Sequence, residues 1–191
     1  MVKEPRPGRV KTRLGREVGM VPAAWWFRHQ VRALLRRVAD PRWETVLAVA
    51  PDAEGLASRV WPAHPRRVPQ GAGDLGDRMA RLLRTGMGPA CIVGADIPGI
   101  GRARIAEAFA ALGAAPSVIG PAPDGGYWLI GLKRTAAPPS GLLEGVRWST
   151  RHARTDSERT LPGPVRHVAT LADVDTAADL RASAGFPGPP A

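Results

Sequence analysis

Ala90-Cys91-Ile92-Val93-Gly94-Ala95-Asp96-Ile97-Pro98-Gly99 is a short apolar run that empties into a loop carrying one carboxylate. A run this short, bounded by glycine and proline, is too brief for a helix and predicts a buried strand. Arg102 to Leu112 follows, with Ile105, Phe109 and Leu112 on one stripe at helical spacing. Strand, loop and helix in that order are the unit of an α/β fold. Asp96 then falls at the carboxyl edge of a sheet, where such folds bind ligands.

The same alternation extends in both directions. Pro22 to Asp40 predicts a helix, with Pro22 in its first turn and Phe27, Val31, Leu34, Leu35 and Val38 on one face. Thr45 to Ala50 predicts a strand ended by Pro51. Asp74 to Thr85 predicts a helix capped by Asp74, with Leu75, Met79, Leu82 and Leu83 inward. Ser117–Gly120 and Tyr127–Leu132 predict two strands around a turn-rich loop, Val165–Thr170 a late strand, and Thr176–Ala184 a last helix. Arg151 to Thr160 has the composition of a helix but little apolar periodicity. The expected fold is therefore α/β: one domain over residues 1–184, three layers, a mostly parallel sheet covered by helices on both faces, and a disordered tail over 185–191.

The composition narrows the class. The chain has 191 residues, 44% of them hydrophobic, enough for a substantial core. No apolar run approaches the roughly 20 residues of a membrane helix, and no signal peptide opens the chain. These features predict a cytoplasmic protein without a membrane partner. The single cysteine, Cys91, cannot form a disulfide within the chain or build a zinc site alone. Net charge is +10, from 27 basic and 17 acidic residues, and only Lys3, Lys11 and Lys133 are lysines. The arginines are scattered, so a solvated basic surface ranks first, a phosphate-bearing small substrate second and nucleic acid third.

Three loops carry candidate chemistry. In Gly8-Arg9-Val10-Lys11-Thr12-Arg13, a glycine permits close backbone approach, and Lys11 and Arg13 bring two cations to one anion. Spacing alone leaves phosphate binding and ordinary surface charge open. The second glycine of a nucleotide P-loop is absent. Asp96 could hold magnesium, which takes carboxylates together with substrate phosphates and waters, or could cap a turn. Asp175, in Asp173-Val174-Asp175-Thr176, could be a second metal ligand or a helix N-cap, and Asp179 suits the first turn of that helix. Two further loops have ligand-contact character. One is Gln70-Gly71-Ala72-Gly73-Asp74-Leu75-Gly76-Asp77-Arg78-Met79, which enters a helix N-terminus, and the other is Pro121-Ala122-Pro123-Asp124-Gly125-Gly126-Tyr127. Trp148 lies close in sequence to the second.

Taken together, Pro7–Leu14, Gln70–Met79, Gly94–Pro98, Gly120–Leu132, Trp148-Ser149-Thr150 and Asp173–Thr176 resemble the glycosyltransferase-A-type transferases known as selenodomain-associated or as a family of unknown function. That family is similar in fold to the molybdenum-cofactor and phospholactate guanylyltransferases. The resemblance implies a nucleotide-diphospho-sugar transferase (GT-A, Rossmann-like) fold. It also implies a nucleotide-binding transferase using Mg2+ or Mn2+, with Asp96 and Asp175 as metal ligands, the latter by analogy with sugar cytidylyltransferases. Lys11 and Arg13 then become phosphate-binding catalytic residues, with Asp124 a candidate general base. Gly8, Gln70, Gly73, Asp74, Gly76, Arg78, Gly125, Gly126, Tyr127 and Trp148 become substrate contacts. Family members usually open with a complete apolar strand; here only Met1 and Val2 precede Lys3, so a truncated first strand is expected. The expected reaction is nucleotidyl transfer from a nucleoside triphosphate to a small phosphorylated or hydroxyl acceptor. Glycosyl transfer from a nucleotide sugar is the alternative, and a non-catalytic nucleotide or nucleic-acid binder the second alternative. The oligomeric state is open.

Overall fold

The computed structural model describes residues 1–86 and 88–183. The predicted tail, and the last residue of the predicted C-terminal helix, lie outside the described residues. Within the one domain that the sequence predicts, the described residues group into two compact units: 1–69 with 95–100 and 173–183, and 70–86 with 88–94 and 101–172.

The first unit is built on a wholly parallel sheet, β1 (Val2–Lys3), β2 (Leu47–Ala50) and β3 (Arg67–Pro69), in that order. The expected short first strand is two residues long, with Val2 opposite Val49 and Lys3 opposite Ala50. All four residues of β2 are buried, the pattern of a strand covered on both faces. Its helices are α1 (Thr12–Val18), α2 (Met20–Val38) and α3 (Asp52–Ala57). Phe27, Val31, Leu34 and Val38 point inward on α2 as the periodicity requires, while Leu35 is only half-buried. Helix α3 lies so close to β2 that a Cβ on Gly55 would stand 2.6 Å from the Val49 Cβ. Arg67 is not a free surface charge: its guanidinium donates to the carbonyls of Leu56, Ser58 and Trp61 at 2.6–3.0 Å and so satisfies an irregular loop.

The second unit carries α4 (Leu75–Arg84), β4 (Ala90–Val93), α5 (Arg102–Ala114), β5 (Ser117–Pro121), β6 (Tyr127–Leu132), α6 (Ala153–Thr160) and β7 (Val165–His167). Its strand order is β4-β6-β5-β7. β6 runs antiparallel to both neighbours, whereas β5 and β7 are parallel. The connection from Pro121 to Tyr127 is too short for a crossover, so a hairpin is the available solution. Among the described strands three pairings are parallel and two antiparallel. Trp128, Leu129, Ile130 and Leu132 are at most 2% exposed and form the centre of this unit's core. The Trp128 indole N–H donates to the Ala169 carbonyl at 2.8 Å.

Asp74 caps α4 in a reciprocal box: it accepts from the Asp77 N–H at 2.9 Å, and Asp77 accepts from the Asp74 N–H at 3.0 Å. Leu75, expected inward, is 45% exposed. As the first helical residue it points off the stripe that Gly76, Met79, Ala80 and Leu83 bury. Residues 177–182 form the last helix, α7 (Ala177–Ala182), in the first unit.

Candidate active site

The site assembles in the first unit from three separate stretches of chain. The loop after β1 turns at Gly8, whose φ of +74° suits glycine, with the Arg9 N–H donating to the Arg6 carbonyl at 3.0 Å. Val10 is buried and anchors the loop. Lys11 takes the left-handed conformation, φ 44° and ψ 47°, immediately before α1. That conformation is uncommon for a residue with a Cβ and is held here by what the side chain reaches.

The Lys11 ammonium lies 2.5 Å from Asp96 Oδ2, 2.7 Å from Asp175 Oδ1 and 3.7 Å from Asp173 Oδ2. Its side chain is 7% exposed, against 26–34% for the three carboxylates. Arg13, one residue into the first turn of α1, is largely in solvent and donates to Asp175 Oδ2 at 2.9 Å. The Asp96 carbonyl accepts from the Val174 N–H at 3.2 Å, which ties the two carboxylate-bearing segments together. One oxygen from each of Asp96, Asp173 and Asp175 lies within 4.8 Å of the others. Three carboxylates at that spacing offer hard oxygen donors of the kind magnesium and manganese take.

Burial alone would lower the Lys11 pKa. The charge of Asp96 and the hydrogen bonds to Asp175 and Asp96 outweigh it, and the ammonium is held above its ordinary range. For Asp175 burial acts to raise the pKa, but the hydrogen bond and charge of Lys11, with help from Arg13, bring it below the usual carboxylate value. Both groups are thus fixed in their charged forms at neutral pH.

Asp175 is free to face Lys11 because Thr176, not Asp175, caps α7. Thr176 Oγ1 accepts from the Asp179 N–H at 3.2 Å, and Asp179 accepts from the N–H groups of Asp175 and Thr176. Asp173 is the member of the cluster not singled out by spacing. Spacing offered no usable signal: Asp173 and Asp175 flank the buried Val174, but three residues are too few to read as alternation.

The other sequence-predicted residues fall in the second unit, and many of them have duties inside it. The Gln70 carbonyl accepts from Arg81 at 2.6 Å, and Gln70 is 4% exposed. Gly73 has φ +95°, and a Cβ there would collide with the Asp77 side chain. Arg78 Nε donates to the Gly73 carbonyl at 3.0 Å. Gly76 sits against the Leu143 carbonyl and the Trp148 ring, with no space for a side chain. The Trp148 indole N–H is buried with no hydrogen-bond partner among the described residues. Asp124 is exposed and accepts from the Gly126 N–H at 2.9 Å. Gly125 has φ +87° and packs on the Arg151 backbone. The Tyr127 hydroxyl bonds Ser157 Oγ at 3.1 Å, and burial pushes the phenol well above its usual pKa. Burial also raises the Cys91 thiol to about 12, which agrees with a packing role. No described helix is long and apolar enough to cross a membrane.

By its likeness to a solved structure, this α/β chain has the fold of the nucleotide-diphospho-sugar transferases. A crystal structure from Desulfovibrio desulfuricans G20, described as a "putative nucleotide-diphospho-sugar transferase", is similar with a TM-score of 0.82 and 31% identity, over 94% of this chain and 81% of that one. The chain belongs to the family described as "Uncharacterized protein conserved in bacteria (DUF2064)", whose model matches residues 33–150. Rv0371c from Mycobacterium tuberculosis H37Rv is also similar, with a TM-score of 0.50 and 17% identity over 82% of each chain, a likeness of fold alone. No curated protein matches the chain.

Proposed function

We propose that this protein is a metal-dependent nucleotide transferase, with nucleotidyl transfer from a nucleoside triphosphate as its reaction. The observation that carries the reading is the meeting of Lys11 with Asp96, Asp173 and Asp175, three carboxylates whose oxygens lie within 4.8 Å of one another. The donor set fits magnesium or manganese, with Asp96 and Asp175 as the principal ligands and Asp173 beside them. When bound, such a cation supplies charge neutralisation at the phosphate oxygens. Lys11, just before α1, and Arg13, in its first turn, are the proposed phosphate contacts, Arg13 by paired hydrogen bonds and Lys11 as a point charge. An acceptor oxygen attacks the α-phosphorus, the bond to the β-phosphate oxygen breaks, and pyrophosphate leaves. The chain's contribution is alignment and electrostatics, as in phosphoryl transfer generally.

Two adjacent cations favour a triphosphate donor, which carries more charge than a diphosphate. The description of the D. desulfuricans protein favours glycosyl transfer from a nucleotide sugar as the second reading. Asp124 as general base, and substrate contact by Gly8, Gln70, Gly73, Asp74, Gly76, Arg78, Gly125, Gly126, Tyr127 and Trp148, are further parts of the proposal. Asp124→Asn and Arg78→Ala test them by turnover once a donor is known.

The test is thermal stabilisation by each nucleoside triphosphate and each common nucleotide sugar with magnesium. Stabilisation by a triphosphate, lost in Asp96→Ala, supports nucleotidyl transfer. Stabilisation only by a nucleotide sugar supports the second reading. Indifference to all of them, with salt-sensitive duplex binding that ignores Asp96→Ala, overturns both in favour of a nucleic-acid binder.

A further inference from the structure

The outer face of α2 has a composition that the active site does not use. From Val18 to Ala39 the sequence has no acidic residue, yet it carries Arg28, His29, Arg32, Arg36 and Arg37. Val21, Trp25, Arg28, His29, Arg32 and Arg36 follow at helical spacing on the side opposite the buried residues Phe27, Val31, Leu34 and Val38. The stripe is therefore apolar at its N-terminal end and cationic beyond. Val21 is 66% exposed and Trp25 40%. Arg28, Arg32 and Arg36 form no ion pair among the described residues. The nearest acids in sequence are turned to other duties: Glu17 accepts from the Ala177 N–H at 2.9 Å, and Asp40 is held by Arg42 at 2.8 Å.

We propose that this face lies on an anionic lipid bilayer, with Val21 and Trp25 in the interface and Arg28, Arg32 and Arg36 at the headgroups. Basic helices with an exposed aromatic and aliphatic end bind such surfaces by combining apolar burial with charge. The chain's net charge of +10 adds long-range attraction to the same surface. Two alternatives fit less well. A second copy of the chain would set one arginine stripe against another. Nucleic acid would use an open indole face for stacking, but the Trp25 ring is covered by His29, with centroids 3.9 Å apart and planes at 35°. The aliphatic Val21 also offers nothing to a phosphate backbone.

The proposal is independent of the catalytic reading and is tested on the full chain by co-sedimentation with phosphatidylcholine vesicles, with and without phosphatidylglycerol. Association is expected only with the anionic vesicles and falls with added salt. Arg32→Glu/Arg36→Glu weakens it at least about tenfold, since each arginine near such a surface contributes about a factor of five. Val21→Ser/Trp25→Ser weakens it at unchanged charge; if that pair lowers the melting temperature, Val21→Ser alone carries the apolar arm. Equal binding to both vesicle types, no binding, or variants that bind like the wild type overturn the proposal. So does duplex binding that the arginine variant abolishes while vesicles are ignored, which makes nucleic acid the partner.

Discussion

Replacing Lys11 with methionine preserves most of the side-chain volume and deletes one charge at the centre of the cluster. Three carboxylates are then left with oxygens within 4.8 Å of one another and only Arg13 to offset them. At that separation each pair repels by about 3.5 kcal/mol with an effective dielectric of about 20. The carboxylates are about a quarter to a third exposed, so water reduces this to about 1–2 kcal/mol per pair. With Arg13 still bound to Asp175, the net loss of stability is about 2–4 kcal/mol at neutral pH and low salt. For a chain of this length that lowers the melting temperature by about 5–12 °C. The pH dependence follows from the groups involved. Lys11 is raised, so its own charge is present throughout the acid and neutral range and lost only above its folded pKa. Its hydrogen-bonded partner Asp175 is held below its ordinary carboxylate value, so the deficit of Lys11→Met shrinks only in strong acid, as that carboxylate protonates. Urea unfolding at neutral pH and in acid, with and without magnesium, measures each part. Magnesium should restore more stability to the variant than to the wild type. A Lys11→Met protein as stable as the wild type at neutral pH and low salt would refute the charge reasoning.

Three further outcomes are expected. Asp74→Ala removes the cap from α4 and lowers stability by about 1 kcal/mol in urea titrations, because the Asp77 N–H loses its acceptor. Trp128→Phe leaves the Ala169 carbonyl without its indole donor in a core that is 2% exposed at Trp128, and costs about 1–3 kcal/mol by the same measurement. Asp175 is held below its ordinary pKa of 3.8, so its stabilisation is present above that value and lost as the pH falls through the lower folded one. Asp175→Asn should therefore differ from the wild type in melting temperature at neutral pH and converge with it in strong acid.

Helices were legible in the sequence because burial on one face leaves a periodic pattern, and strands because a short unbroken apolar run marks burial on both faces. Helices α2, α4 and α5 follow from the spacing of Val31, Met79 and Ile105 and their neighbours, and strands β2 and β6 from the apolar runs around Val49 and Ile130; β4, expected buried from the run around Ile92, forms as a strand but is only half-buried. The short elements were not. Helix α1 buries only Leu14 and Gly15, and α3 only Gly55, so neither shows a stripe. Strand β3 is three residues that expose Pro69. Leu75 misled because hydrophobicity says nothing of a residue's angle at a helix start. In the site, Lys11, Arg13, Asp96 and Asp175 were legible as candidates, since each follows a strand or opens a helix. Their pairing was not, because contacts 85 and 164 residues apart leave no trace in spacing. Asp173 was hidden for a related reason: an extended segment of three residues is too short to show alternation.

The central claim is that Lys11, Asp96, Asp173 and Asp175 form a site for a metal-bound nucleotide. It is tested most directly by calorimetric titration of Mn2+ into the protein with and without a nucleoside triphosphate, repeated with Asp96→Ala. One Mn2+ per chain is expected, bound more tightly with the nucleotide present and lost with Asp96→Ala. Binding that ignores Asp96→Ala, or no binding with any triphosphate, would contradict it.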